Sequence, residues 1–265
     1  MPLARDDAIC LRVTPFGETS QVASVLCREH GRVKLLAKGA RRRTKAGKGK
    51  FDGGMEPLDL GHALFAHVPE RDLSPMTEWK LLDGHRALRR DLRAMWLGLY
   101  AAELVDRLIE EHDPHPRLFD GLLRLFARLT EPTTREAVAL AFVLNLIRQA
   151  GILPDFGRTS DGTPTRRALA EGDVLSYSPG DAALYRGDEG VPGDAIPANP
   201  AALEAILGLL RLARNGGDLP TLQRPEADGA HKLLAAHLRA QTDARLRVAR
   251  FIFDDAAGRA RSAAG

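Results

Sequence analysis

The apolar positions of this chain change period near Asp83. Between Ala8 and about Leu82 they fall in short runs with partial alternation: ICLRV, QVASVLCRE, RVKLLAKGA, MEPLDLGHALFAHV and the stretch around MTEWKLL, all rich in Val, Leu, Ile and Phe. Pro15-Phe16-Gly17, His30-Gly31 and Gly53-Gly54 supply turns between them. Such a series of short strands, with no helix interposed, predicts a small and strongly curved antiparallel barrel. The five-stranded OB fold is the leading expectation and an SH3-like barrel the alternative.

Beyond Asp83 the period becomes that of a helix. In HRALRRDLRAMWLGLYAAELVDRLIEE, Leu88, Leu92, Met95, Trp96, Leu99, Leu104 and Leu108 recur three or four residues apart, and Asp113-Pro114-His115-Pro116 stops the run. Further helices are predicted over 117–129, 134–150, 200–214 and 225–253, the one at 134 opening on Thr-Thr-Arg-Glu and closing on Gly151. Residues 153–200 are crowded with Gly, Pro and Asp and predict at most a hairpin around Asp173 to Tyr185. The expected organisation is an OB-fold domain over 1–82, an α-helical domain over 83–255 with an irregular insert at 153–200, and a frayed tail over 256–265.

Composition narrows the class. With 265 residues, 44% hydrophobic and 28% charged, the chain can bury a core in each of two regions. No apolar run approaches the roughly 18–20 residues that span a bilayer, and MPLARDDAICLRV lacks the core of a signal peptide, so a cytoplasmic protein without membrane contact is expected. Cys10 and Cys27 are the only cysteines and both fall in strand segments. That count excludes a disulfide framework and a thiolate zinc site.

Net charge is only +3, but it is unevenly spread. The stretch AKGARRRTKAGKGK carries Lys38, Arg41, Arg42, Arg43, Lys45, Lys48 and Lys50 and no acid. Its Gly47-Lys48 pair invites comparison with a phosphate-binding P-loop. That motif needs Gly where Arg42 stands and Ser or Thr where Gly49 stands, so it is absent. What remains is a basic, glycine-containing connection between two barrel strands, suited to displacing counterions from a phosphate backbone. Phe51 beside the run and Phe16 in the first turn are candidates for base stacking, although a ring in such a place is more often a core or lid residue.

Other chemistry is sparse. His112 and His115 flank a helix-breaking proline, and His62 and His67 lie on opposite faces of one predicted strand, so no metal site is expected. No Gly-x-Ser-x-Gly elbow, polar-site cysteine or acidic metal cluster occurs, and neither an enzyme nor a cofactor is expected. Glu103, Asp106, Glu110 and Glu111 have the spacing of a solvated helical face. In the last helix, Leu233, Leu234, Leu238, Leu246 and Phe251 predict a buried stripe; Lys232, Arg239, Arg245, Arg247 and Arg250 surround it and could accept an acidic partner. A protein-binding adaptor that grips acidic peptides through the basic run and this helix is therefore the alternative to a nucleic-acid-binding protein.

The string PFGETSQVASVLCREHGRVKLLAKGARRRTK resembles the N-terminal signature of the bacterial RecO family, with Phe16-Gly17-Glu18, Arg28-Glu29-His30-Gly31 and Ala37-Lys38-Gly39-Ala40-Arg41-Arg42 in its characteristic places. RLFDGLLRLFARL and FVLNLIRQAGILPDF resemble the family's helical domain up to its Gly-x-x-Pro step. The resemblance implies a non-enzymatic mediator of DNA repair and recombination. Such a protein binds single- and double-stranded DNA, anneals strands, associates with RecR and with the acidic C-terminal tail of the single-strand binding protein, and helps load RecA. Many family members also carry two Cys-x-x-Cys pairs after the Gly-x-x-Pro step. Here Thr159, Ser160 and Asp161 stand near the first pair, so packing or turns must hold the segment if it is ordered.

Overall fold

In the computed structural model, which describes residues 3–41, 50–51, 54–68, 71–187, 190–242 and 246–253, the chain divides into two compact units, Met1–Thr130 and Glu131–Gly265. The first opens with β1 (Leu3–Phe16), β2 (Ser20–Cys27), β3 (Gly31–Ala37), β4 (Leu60–Ala66) and β5 (Ser74–Asp83). These close in the order β1-β2-β3-β5-β4, with β3 and β5 parallel and the other pairs antiparallel. That circuit is the OB topology, as expected from the strand runs.

Alternation fills the barrel. Ala8 and Cys10, Ala23, Val25 and Cys27, Val33, Leu35 and Ala37, and Ala63 and Phe65 point inward with Met76 and Trp79. The small residues are as necessary as the large ones. A Cβ on Gly61 would come within 2.5 Å of the Trp79 ring, so glycine makes room for the indole. Ile9, Leu11 and Leu26 are also buried, which leaves the middle of β1 covered on both faces.

The helices begin with α1 (Arg86–Arg89) and α2 (Leu92–Leu108). The sequence predicts one helix here, but Asp91 turns out of the helical conformation and accepts the Ala94 N–H at 2.9 Å, capping α2 afresh. α2 packs on β1, and α3 (Pro116–Arg128) packs on α2. The unit therefore ends at Thr130, beyond the change of hydrophobic period at Asp83.

The second unit contains α4 (Arg135–Gln149), α5 (Thr165–Glu171), β6 (Leu175–Ser178), β7 (Ala183–Arg186), β8 (Ile196–Pro197), α6 (Pro200–Asn215), α7 (Arg224–Thr242) and α8 (Ala249–Phe253). α4, α6 and α7 pack against one another around Leu140, Ile147, Leu203, Ile206 and Leu234. Residues 153–200 are more regular than their composition suggests: β7, β6 and β8 form a small sheet, and α5 precedes it. The expected continuous helix over 225–253 instead ends at Thr242, and Phe251 is half exposed while Ile252 is buried in its place.

The stretch that replaces the cysteine pairs is held by polar side chains. Thr159 donates to Asp161 and to the Thr163 carbonyl, and Asp161 accepts the Thr163 N–H at 2.9 Å. Arg186 on β7 then joins Asp161 at 3.3 Å, Thr163 at 3.0 Å and Asp173 at 2.8 Å. The Thr159 hydroxyl, the Thr163 groups and the Arg186 charge hold the Asp161 carboxyl well below the usual carboxylate range. The described residues include no group able to hold a metal ion.

Candidate nucleic-acid interface

The basic run leaves the barrel and returns to it through fixed ends. Gly39, at φ 73°, donates its N–H to the Ser20 hydroxyl at 3.2 Å; the Arg41 N–H donates to the Thr19 carbonyl at 2.9 Å, and Ala40 between them is buried in the core. On the return, the Lys50 carbonyl accepts the Trp79 N–H at 2.8 Å and Phe51 enters the core. Gln21 then clasps Met55 from both sides, accepting its N–H at 3.1 Å and donating to its carbonyl at 3.2 Å.

These bonds decide which side chains face solvent. Lys38, Arg41 and Lys50 are exposed, and none has an acidic partner among the described residues. Arg42, Arg43, Lys45 and Lys48 lie outside the described residues. Phe16 is 56% exposed at the β1–β2 hairpin, whose Thr19 and Ser20 bond directly to Arg41 and Gly39. An exposed aromatic ring and the start of the basic run therefore share one end of the barrel. Phe51 does not join it: at 8% exposure it packs with Met55 and Trp79, where apolar burial outweighs any surface role.

Three cations on β1 and β3 have another fate. Arg12 pairs with Asp106 at 3.0 Å, Arg32 with Asp106 and Glu111 at 3.7 and 3.2 Å, and Lys34 with Glu111 at 2.6 Å. Ser24 also donates to Asp106. Asp106 is buried and Glu111 half-buried, so these two are anchors between helix and barrel, in place of the solvated face that their spacing predicts. Burial alone would raise the Glu111 pKa; the Lys34 hydrogen bond and the Lys34 and Arg32 charges outweigh it and lower the group below its ordinary value. Arg89 is similarly tied to Asp59 at 2.9 Å.

The remaining candidates are scattered. Lys232 and Arg239 are exposed on α7; Arg247 and Arg250 are exposed around α8, with Arg250 over the Phe251 ring at 4.6 Å. They do not form one continuous basic helix, because α7 ends at Thr242, and Arg245 lies outside the described residues. Cys10 and Cys27 are fully buried, and burial pushes both thiols up from their ordinary pKa. No described helix is long and apolar enough to cross a membrane. Sequence spacing gave no hint that His30, His67 and His112 would meet: their ring centroids lie 4.8 and 5.6 Å apart in sequence order, and His30 bonds to Asp6 at 2.7 Å.

Fold and rim together define an OB-barrel protein with an appended helical region. Residues 1–85 match the family model described as Recombination protein O N terminal, and residues 89–249 match Recombination protein O C terminal. A DNA repair protein RecO from Salinibacter ruber is 32% identical over 256 residues, covering 96% of this chain and 90% of its own. One from Anaeromyxobacter dehalogenans is 33% identical over 252 residues, covering 92% and 93%. The Bacillus subtilis protein of that name is 28% identical over 166 residues, covering 61% and 63%. The chain belongs to the RecO family.

Proposed function

We propose that this protein acts in DNA repair and recombination as a DNA-binding mediator, holding phosphate backbone on the rim formed by Lys38, Arg41 and Lys50 with Arg42, Arg43, Lys45 and Lys48 between them. The observation that carries the reading is the exposure of Lys38, Arg41 and Lys50 without acidic partners among the described residues, the start of their run bonded to the hairpin that carries exposed Phe16, whereas Arg12, Arg32 and Lys34 on β1 and β3 are paired with acids. Exposed cations without acidic partners favour a polyanion whose counterions can be released. Family membership extends the proposal to strand annealing on single- and double-stranded DNA, to RecR and the acidic tail of the single-strand binding protein as partners, and to help in loading RecA.

Contacts to phosphate are indifferent to sequence, so Arg41→Glu, Arg42→Glu and Arg43→Glu together should weaken binding to unrelated oligonucleotides alike. If all seven cations engage one strand, log affinity falls against log salt with a slope of roughly −5, from about 0.7 per contact. Fluorescence titration at several salt concentrations measures both quantities. Wild-type affinity and slope in the triple variant would refute the rim as the site. Salt-insensitive oligonucleotide binding combined with tight binding of an acidic peptide would favour the adaptor.

A further inference from the structure

The second unit gathers arginines on one face. Arg148 near the end of α4, Arg158 before α5, Arg166 on α5, and Arg211 and Arg214 in the last turns of α6 line an open cleft of about 720 Å³. A hollow of about 420 Å³ shares Arg166 and Arg211 and prolongs the cleft between α5 and α6. All five side chains are exposed, and no described carboxylate pairs with any of them. Arg148 donates only to the Asn145 side chain at 2.6 Å, and Arg158 to the Gly162 carbonyl at 3.0 Å. Asp155 in the cleft wall accepts the Gly157 N–H at 2.8 Å. Elsewhere in the same unit Arg167, Arg186 and Arg224 all have acidic partners.

A position in the last turn of a helix, where the dipole favours cations, accounts for Arg148 and Arg214 one at a time. It does not account for Arg158, Arg166 and Arg211 joining them in one cleft, where a bound anion would offset the repulsion of like charges. Five arginines against two acids, Asp155 in the cleft and Glu204 in the hollow, leave a positive excess that focuses the field on such an anion, and guanidinium forks match phosphate oxygens. The cleft is open and runs on into the hollow between α5 and α6, and its largest apolar neighbour, Phe156, is 1% exposed. Extended shape without an aromatic socket suits a backbone better than a peptide that needs an anchoring pocket.

We infer that this cleft is a second nucleic-acid site, which binds the phosphodiester backbone of a single strand without reading its bases. It does not depend on the barrel rim. The test is salt-dependent titration of a fluorescein-labelled mixed-sequence single-stranded 40-mer with the full chain carrying Arg166→Gln, Arg211→Gln and Arg214→Gln, alone and combined with Lys38→Gln, Arg41→Gln and Lys50→Gln. Loss of three contacts flattens the log–log slope by about 2, so between 0.05 and 0.2 M salt the variant loses roughly 20-fold less affinity than the wild type. Arg214→Gln alone should flatten it by about 0.7, and unchanged far-UV circular dichroism shows that folding is intact. A wild-type slope in both cleft variants overturns the proposal, as does a wild-type slope with lost binding of a polyglutamate peptide. The rim variant separates the two sites: if it alone leaves binding unchanged, the rim reading fails and the cleft stands; if only the cleft variant does so, the reverse holds.

Discussion

Each unit contains a polar network centred on one residue, and the two centres differ in exposure. In the first, the Asp106 side chain is 4% exposed and collects Arg12, Ser24 and Arg32 from three strands. In the second, Arg186 is 31% exposed and collects Asp161, Glu171 and Asp173 around a turn. The number of partners is similar, but water competes for the second network and hardly for the first. Buried charge that loses its partner stays desolvated, whereas exposed charge is rehydrated, so the same kind of network supports very different stabilities.

Tryptophan placement allows the contrast to be measured one unit at a time. Trp79 and Trp96 are the only tryptophans and both lie in Met1–Thr130, so their fluorescence follows that unit, while far-UV circular dichroism follows both. The largest effect is expected from Asp106→Ala, which leaves the buried Ser24 hydroxyl without its acceptor and takes a buried carboxylate from Arg12 and Arg32. It should cost about 2–3 kcal/mol and move the fluorescence transition to lower urea. A shift below about 1 kcal/mol would place Asp106 with the exposed pairs.

An intermediate effect is expected from acid acting on a buried group of the second unit. The His237 Nε2–H donates to the Ile152 carbonyl at 2.6 Å, which leaves Nδ1 to accept the Tyr177 hydroxyl at 2.8 Å. Burial lowers the His237 pKa, so between its folded and unfolded values the unfolded chain binds more protons. Stability is then complete above the unfolded value of about 6.5 and is lost as pH falls below it, by at most about 1.4 kcal/mol per pH unit. Urea unfolding followed by circular dichroism from pH 7.5 to 5 should show this slope in the transition that tryptophan does not report. Its persistence in His237→Gln would assign the slope to another group.

The smallest effect is expected from Arg186→Met. Removing an exposed hub should cost about 1 kcal/mol, again outside the tryptophan transition. A loss of about 2 kcal/mol or more would mean that the turn carrying Thr159 and Asp161 is as dependent on its hub as the barrel is on Asp106, and the contrast would fail.

The barrel was legible in the chain because its signal is local: alternation marks β1 to β5, and glycines mark the turns. The short α5 was missed because seven residues between Pro164 and Gly172 offer too little period to stand out from their turn-rich surroundings. Asp106 and Glu111 were read as a solvated face because their partners lie on strands far back in the chain, where helical spacing cannot register them. The same limit hid the arginine cleft, whose members come from three helices and a connection. Phe51 was ambiguous for a different reason: a ring next to a charge run can turn either way, and its place in the core emerges only once Trp79 and Met55 are beside it.

The buried ends of the basic run have an evolutionary consequence. Ala40 and Phe51 are both held in the barrel core, so barrel geometry is set by residues that flank Arg41 to Lys50. Lengthening a connection between fixed ends is inexpensive, about 0.6 kcal/mol for each doubling. Insertions and charge changes between Arg41 and Lys50 can therefore accumulate with little loss of stability, and grip can be tuned through mutations that leave the scaffold untouched.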